Sequence, residues 1–259
     1  MRTDPFTEVV HQQFALKAGL YASAPALTNP AALDVLLELS RVGAEDTVLD
    51  VGCGAGVVVC AFAARARHVT GIDLVPAMIE RARALQAEKG LSNVSWQVGD
   101  VLPLPFLDHA FTLVVSRYTF HHFTDAGAVL AEMRRVCAPG GRVVVADMMA
   151  SADPAKAEAL NRMERLRDPS HVRAMPLAEL EQLFHRAGLA PARQASYGLE
   201  FEVEQLLAGS HPRPGDADQV RSMFAESVDT DAMGLGTRRE GNRLLFSYPI
   251  AVLRAEAQT

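Results

Sequence analysis

The chain has 259 residues, 49% of them hydrophobic, and a formal net charge of −6, so it can bury a sizeable core. It has no dense block of lysine and arginine, which argues against a nucleic-acid partner, and no apolar run of about 18 residues, which argues against a membrane span. The start lacks the apolar core of a signal peptide, and the three cysteines show no disulfide or metal-ligand spacing. We therefore expect a cytoplasmic protein.

Two helices are predicted ahead of the first strand. Val10 and Phe14 recur at helical spacing, and the Asn-Pro pair at 29–30 is typical of a helix start. We expect residues 1–46 to form a helical lid over a ligand site, with Phe14 and Tyr21 closing on a substrate. Ordinary core packing is the alternative for both aromatic side chains.

A strand, a tight turn and a helix start are predicted from residue 47 onwards. The mostly apolar run Thr47–Val51 leads into Gly52, Gly54 and Gly56. Glycine adopts a positive φ without steric cost and lets the backbone pass close to a ligand. A second strand ends at Asp73, about 20 residues further on, which is the spacing with which α/β proteins bind a ribose-bearing cofactor.

Helices and strands alternate in the rest of the chain. Further strands are predicted at 94–98, 111–116, 142–147, 192–199 and 244–253. This alternation predicts an α/β fold of the doubly wound, Rossmann-like class with a mostly parallel sheet. We expect the third strand to lie between a cofactor half and an acceptor half of the sheet.

These motifs, in this order, resemble the class I S-adenosylmethionine-dependent methyltransferases, in particular the type 11 small-molecule group similar to ubiquinone and menaquinone biosynthesis methyltransferases. The resemblance covers residues 47–148 and is carried by Val48–Gly56, Asp73, Gly99–Asp100, Leu102–Phe106 with Phe111, His121–Phe123 and Pro139–Gly141. Leu166–Arg173 also resembles a segment of some bacterial members, whereas Thr112 stands where the family commonly has Asp. The resemblance implies a methyltransferase domain over 47–259, with a seven-stranded sheet, an antiparallel last strand and an insertion before it.

The resemblance implies that S-adenosyl-L-methionine binds beside the glycine turn. Asp73 is expected to accept hydrogen bonds from both ribose hydroxyls, and Asp100 from the adenine amino group, with the backbone of Val101 reading the ring edge. Asp50 is expected either to hold the ammonium group or to orient the glycine turn. The remaining cofactor-binding candidates are Gly52, Cys53, Gly54, Gly56, Leu74, Met78, Gly99 and Ser116.

Two other functions fit parts of the pattern. An NAD(P)-dependent oxidoreductase would use a glycine turn of the form G-x-G-x-x-G, and a module that binds S-adenosylmethionine without methyl transfer would have the same residues. The Pro139–Gly141 turn and Asp100 favour S-adenosylmethionine over a dinucleotide.

The acceptor is expected to be a small molecule methylated on oxygen or carbon rather than nitrogen. Segments 150–188 and 200–240 are expected to contribute to its site. A base must take a proton if the nucleophile is a hydroxyl or an acidic carbon, and the candidates are His171, Asp147 and His121. The adjacent His122 is the alternative to His121, because one of the two is expected to be a packed structural histidine. The acceptor-binding candidates are Phe14, Tyr21, Arg117, Tyr118, Arg167 and Arg173. We expect no metal, since no acid directly follows Ser116, and a homodimer is a further expectation.

Overall fold

The computed structural model describes residues 5–21 and 28–258. The helices are α1 (Pro5–Tyr21), α2 (Pro30–Ser40), α3 (Val57–Ala63), α4 (Pro76–Glu88), α5 (Ala126–Val136), α6 (Pro154–Arg167), α7 (Leu177–Arg186), α8 (Val203–Ala208) and α9 (Asp216–Thr230), with a 3-10 turn at Phe120–His122. The strands are β1 (Thr47–Val51), β2 (His68–Asp73), β3 (Val94–Val98), β4 (Phe111–Arg117), β5 (Cys137–Ala150), β6 (Met175–Pro176), β7 (Pro191–Glu202), β8 (Arg238–Glu240) and β9 (Arg243–Glu256).

The main sheet has the order β3–β2–β1–β4–β5–β9–β7. Strands β1 to β5 pair in parallel, and β9 runs antiparallel to both β5 and β7. The short strands β6 and β8 pair with β5 and β9. The predicted doubly wound sheet with an antiparallel last strand is confirmed.

The predicted place of the third strand was wrong. Among the described strands β3 pairs only with β2, so it forms one edge of the sheet. The chain winds outwards from β1 to β3 and then crosses back to place β4 on the other side of β1. The order therefore reverses between β1 and β4, and ligands in such sheets bind at the carboxyl ends of the strands at this point.

The central strands are buried on both faces, which explains their nearly continuous apolar sequence. Along β4, Val114 packs in the cluster that contains Met133 of α5, whereas Leu113 packs in the cluster that contains Leu36 of α2 and Val59 of α3. A third cluster joins α6, α8 and α9 to the ends of β7 and β9. Helices on both faces thus hold the sheet in place, and the candidate site lies at the carboxyl ends of its parallel strands. None of the helices within 5–21 and 28–258 combines the length and apolarity that a membrane crossing needs.

The glycine turn after β1 is closely packed on its neighbours. The backbone N–H groups of Gly52 and Cys53 both donate to the carbonyl of Ile72, each at 2.9 Å. At Gly56 the φ angle is +81°, and an added Cβ would lie 2.6 Å from the Trp96 ring and 2.8 Å from the Cβ of Ala82. Glycine is therefore required there both by conformation and by space.

We predict that Gly56→Ala lowers the free energy of unfolding by about 2–4 kcal/mol, because a left-handed conformation and a steric overlap act together. Gly90→Ala is the matched control: its φ is +64°, and no described heavy atom lies within 4 Å of the added Cβ. The control should lose only about 1 kcal/mol. Urea denaturation of both variants measures the difference, and equal losses would contradict the packing argument.

Candidate functional site

A cavity of about 360 Å³ lies at the carboxyl ends of β1, β2 and β4. Its walls come from the glycine turn, the residues after these strands and the N-terminal part of α1. The lining residues are Phe6, Thr7, Val10, Phe14, Asp50, Gly52, Cys53, Ala55, Val57, Val58, Asp73, Leu74, Val75, Asp100, Val101, Leu102, Arg117, Tyr118, Thr119, His122, Phe123, Thr124 and Val129. The cavity therefore lies where the topology predicts a ligand site.

The carboxylate of Asp73 is held at the end of β2 by two backbone groups. The N–H of Gly54 donates to its Oδ2 at 2.8 Å, and the N–H of Val75 donates to its Oδ1 at 2.9 Å. Burial raises the pKa of Asp73, while these two bonds act in the opposite direction. Each carboxylate oxygen retains capacity to accept a further hydrogen bond, which suits a pair of hydroxyl groups.

The carboxylate of Asp50 is buried beside the cavity, and its Oδ2 accepts no hydrogen bond from any described residue. Burial raises the pKa of Asp50 to about 7, the negative charge of Asp73 adds to this, and the positive charge of Arg117 opposes it. A buried acid without a full set of partners is costly, so this position is suited to a cationic ligand group.

Two predicted acceptor residues, Arg117 and Tyr118, lie on the cavity wall. The guanidinium carbon of Arg117 lies 4.7 Å from the centre of the Tyr118 ring. The φ of Tyr118 is +58°, uncommon for a non-glycine residue, and its hydroxyl lies 2.6 Å from that of Tyr197. Such strained residues concentrate at functional sites, and this one turns the chain at the cavity edge.

The predicted cofactor residues divide into two groups. Asp50, Gly52, Cys53, Asp73, Leu74, Asp100 and Val101 line the cavity. Gly54, Gly56, Met78, Gly99 and Ser116 lie outside the lining. Met78 is fully buried in a cluster with Ala18, and the hydroxyl of Ser116 donates to the carbonyl of Val51 at 2.8 Å. The side chains of Met78 and Ser116 therefore lie behind the cavity wall, where they stabilise its backbone.

The two adjacent histidines have different surroundings. The Nδ1 of His121 lies 2.6 Å from the Oδ1 of Asp147, and neither residue is part of the cavity lining. His122 does line the cavity, and its Nδ1 lies 2.8 Å from the carbonyl oxygen of Ser170. Because a carbonyl only accepts, Nδ1 of His122 carries the proton and Nε2 is the basic nitrogen.

The charges of the two imidazoles differ as well. Burial alone would lower the pKa of His121, but the charge of Asp147 and the hydrogen bond to it outweigh this effect and raise the pKa. Burial and the neighbouring charge of His121 lower the pKa of His122 to about 3. The imidazole on the cavity wall is therefore neutral at neutral pH.

His171 lies in a buried polar cluster outside the cavity lining. Its Nε2 lies 2.8 Å from the Oδ1 of Asn161, which also accepts the N–H of Ala174 at 2.7 Å. The proton of His171 is therefore on Nε2. Burial, and next the charge of His121, lower the pKa of His171. The ring lies 5.5 Å from that of His121, between centroids, so His171 can support the histidine pair but does not line the cavity.

The two other predicted acceptor arginines also lie outside the lining. Arg167 is paired with Glu164 at 2.5 Å, and Glu164 also accepts the hydroxyl of Tyr248. Arg173 forms a half-exposed pair with Glu179 at 2.6 Å. Phe14 does line the cavity, whereas the side chain of Tyr21 is outside the described part of the chain.

Several lining residues were not singled out from the sequence. They are Phe6, Thr7 and Val10 of α1, and Thr119, Phe123, Thr124 and Val129 around the 3-10 turn and α5. Phe123 belongs to the segment that carried the family resemblance, so its position after β4 was the available signal. His122, in the same segment, was predicted as a candidate base beside His121, and it does line the cavity. Over the described ranges, no three His, Cys, Asp or Glu side chains are grouped so that they could hold a metal ion.

Comparison with known proteins gives matches over most of the chain. Residues 48–141 match the family model described as a methyltransferase domain. The uncharacterized methyltransferase YcgJ of Bacillus subtilis is 36% identical over 194 residues, which cover 75% of this chain and 77% of the relative. The crystal structure of YcgJ superposes with a TM-score of 0.82 over 88% of this chain and 99% of that chain, at 28% identity.

Several relatives have names that state an acceptor. The 27-O-demethylrifamycin SV methyltransferase of Amycolatopsis mediterranei is 33% identical over 163 residues, 61% of this chain and 59% of the relative. A probable tocopherol O-methyltransferase of Oryza sativa is 39% identical over 129 residues, 47% of this chain and 36% of the relative. With the sheet order and the position of the cavity, these matches show that the chain belongs to the class I S-adenosylmethionine-dependent methyltransferases.

Proposed function

We propose that the protein transfers the methyl group of S-adenosylmethionine to a hydroxyl group of a small, largely apolar acceptor. The observation that carries this proposal is the convergence of Asp50, Asp73 and Asp100, from three neighbouring strand ends, on one cavity beside the glycine turn. Oxygen as the acceptor atom is supported by two relatives, a probable tocopherol O-methyltransferase and a 27-O-demethylrifamycin SV methyltransferase. A carbon acceptor is the alternative within the same chemistry.

The described residues fit the cofactor in composition and placement. Asp73 would accept the ribose hydroxyls, because both of its oxygens are oriented by backbone bonds and retain acceptor capacity. Asp50 would accept the ammonium group, because its buried Oδ2 has no described hydrogen-bond donor. Arg117 is placed for the carboxylate of the methionine part rather than for the acceptor, because it lies on the same wall and its charge acts on Asp50.

The adenine would lie against the segment that follows β3. Asp100, Val101 and Leu102 line the cavity there, and the N–H of Leu102 donates to the Oδ1 of Asp100 at 3.1 Å. This bond orients the carboxylate, whose other oxygen can accept from an amino group. The apolar side chains of Leu102 and Leu74 offer surfaces for the ring.

The acceptor would occupy the wall formed by α1 and the 3-10 turn. Phe6, Val10, Phe14 and Phe123 make this wall apolar, and His122 supplies a neutral nitrogen base. An acceptor with an apolar body and a hydroxyl group matches both features.

When bound, S-adenosylmethionine supplies a methyl group activated on a sulfonium. The protein has to align the acceptor oxygen with that methyl carbon, exclude water and receive the hydroxyl proton. We assign proton acceptance to Nε2 of His122, because Nδ1 is engaged by the Ser170 carbonyl. A nitrogen whose pKa is about 3 would take the proton as the methyl–oxygen bond forms, when the acceptor oxygen becomes positively charged and strongly acidic. The His121–Asp147 pair lies directly behind His122, and the centroids of the His121 and His122 rings are 4.2 Å apart. The hydrogen bond from the N–H of His121 to Asp147 fixes the position of the 3-10 turn. We also propose a cytoplasmic location, which suits three free and buried cysteines.

The proposed function is tested first by binding. Calorimetry should detect S-adenosylhomocysteine and not NAD(P)H, and Asp73→Ala should weaken the binding by about ten-fold or more because charged hydrogen bonds are lost. Asp108→Ala, an exposed acid outside the cavity lining, is the control and should bind normally. Unchanged affinity in Asp73→Ala would remove Asp73 from the site. Incubation of metabolite extracts with cofactor labelled on its methyl group should then label an acceptor.

We predict opposite effects of Asp50→Asn on binding and on stability. Affinity for S-adenosylhomocysteine should fall by roughly ten-fold or more, since the ammonium group loses a charged partner. The ligand-free variant should be more stable than the natural protein at pH 7.5, by on the order of 1–3 kcal/mol.

The sign follows from the proton balance of Asp50. Its pKa is about 7 in the folded protein and has the ordinary value of 3.8 when unfolded, so the folded state binds more protons between these values. Stability from this group is therefore fully present below about pH 4 and is lost as the pH rises through 7. Thermal unfolding from pH 4 to 8 should show the two proteins converging at low pH, and a constant difference would contradict this account.

We predict that His122→Asn and His122→Gln separate the two nitrogens of the imidazole. The Asn amide can donate to the Ser170 carbonyl in place of Nδ1 but offers no base in place of Nε2. The methyl-transfer rate of His122→Asn should fall by about 100-fold or more, with cofactor affinity little changed. His122→Gln places an acceptor near the position of Nε2, so any residual rate should be higher in this variant. Full activity of His122→Asn, measured as label transferred per minute, would assign the histidine a structural role only.

A further inference from the structure

Helix α1 spans both halves of the proposed site. Phe6, Thr7, Val10 and Phe14 line the cavity, while Ala18 packs against the residues beneath the glycine turn. The ring of Phe14 meets that of His122 edge to face, with the centroids 5.0 Å apart. The helix thus covers the cavity and contacts the His122 imidazole, which accepts the hydroxyl proton in the proposed function.

One charged residue of α1 is buried on its inner side. Lys17 is 1% exposed, and its Nζ lies 2.5 Å from the Oδ2 of Asp168. Burial lowers the pKa of Lys17, and the charge of Asp168 opposes this effect. Burial would raise the pKa of Asp168, but the charges of Arg167 and Lys17 outweigh it and hold the pKa below its ordinary value. A buried ammonium without its partner is strongly unfavourable, so Lys17 is buried only when α1 is docked on Asp168.

The other oxygen of Asp168 holds the residue that orients His122. Its Oδ1 accepts the N–H of Ser170 at 3.0 Å and the hydroxyl of Ser170 at 2.5 Å. The carbonyl of the same serine accepts the Nδ1 proton of His122 at 2.8 Å. A continuous chain of hydrogen bonds therefore runs from Lys17 on the lid helix to the imidazole on the cavity wall.

We propose that Lys17 is a positioning residue that couples docking of α1 to the tautomer and orientation of His122. Docking places the ammonium on Asp168, which fixes Ser170, and the serine carbonyl then keeps the proton on Nδ1 and the lone pair on Nε2. The basic nitrogen is thereby set only when the lid covers the cavity. The significance for catalysis rests on the proposed function, but the coupling itself is a property of the chain.

The test uses the full chain, labelled with ¹⁵N-histidine and saturated with S-adenosylhomocysteine. In the natural protein, ¹⁵N NMR should show His122 as a single tautomer with Nδ1 protonated, assigned by its loss in His122→Gln. Lys17→Met should produce a mixture of the two tautomers and speed amide exchange in α1 by about ten-fold or more, because a charged hydrogen bond is lost. Lys17→Arg restores the charge, so this variant should largely restore the single His122 tautomer and the slow amide exchange in α1.

The matched control is Lys156→Met, which breaks another Lys–Asp pair, to Asp231 at 2.8 Å, formed by residues outside the cavity lining. This control should leave the His122 tautomer and the exchange of α1 unchanged. If Lys17→Met does not fold, Lys17→Met/Asp168→Asn removes both buried charges and should show the same mixture, because a neutral amide holds Ser170 more weakly.

A single Nδ1-protonated tautomer in the Lys17 variants, equal to that of the control, would overturn the proposal. Failure of the proposed function gives a different result, since the natural protein would then not bind S-adenosylhomocysteine in calorimetry. In that case the same comparison of His122 is made on the ligand-free protein, where the coupling is still expected.

Discussion

The site depends on one constraint, which is that acidic side chains of like charge lie together at the carboxyl ends of parallel strands. Asp50, Asp73 and Asp100 lie at or just after the ends of neighbouring strands, and parallel strands bring their carboxyl ends together. The burial of Asp50 and Asp73, and the negative charge of Asp73 beside Asp50, make this arrangement unfavourable unless these acids have partners. The N–H groups of the glycine turn and of Val75 serve Asp73, and the charge of Arg117 acts on Asp50. The hydrogen-bonding capacity and negative charge that these groups leave unpaired are what a ligand can satisfy.

The wall that we propose for the acceptor is built by elements distant in sequence. Helix α1, the 3-10 turn and the segment 168–171 meet through Lys17, Ser170 and the histidine pair. The buried cluster of Glu164, Arg167 and Tyr248 lies behind this segment. A helix that is held to the polar interior by a buried charge has a defined docked position, because any other position leaves that charge without a partner.

Local patterns were enough to predict the strands of the main sheet but not the position of β3 at its edge, because strands, helices and glycine turns are set by neighbouring residues whereas strand order is not. Pro249 lies within β9, where a missing N–H can weaken a sheet, yet β5 pairs with β9 only as far as Ile250, so the proline costs no bond to that strand. Asp50, Asp73 and Asp100 lie at or next to strand ends, so the sheet topology brings all three to the cavity wall. Which of His121, His122 and His171 faces the cavity depends on contacts with residues up to 48 positions away, and sequence spacing does not contain that information.

The proposed contacts also bear on how the reaction ends. In the proposed complex Asp73 and Asp100 would bind the ribose and the adenine, and Asp50 would bind the amino group, none of which is altered when a methyl group departs. The demethylated product would retain these attachments under the closed α1 helix, so it would compete with fresh cofactor. Sustained turnover would then depend on another enzyme that removes this product from the cell.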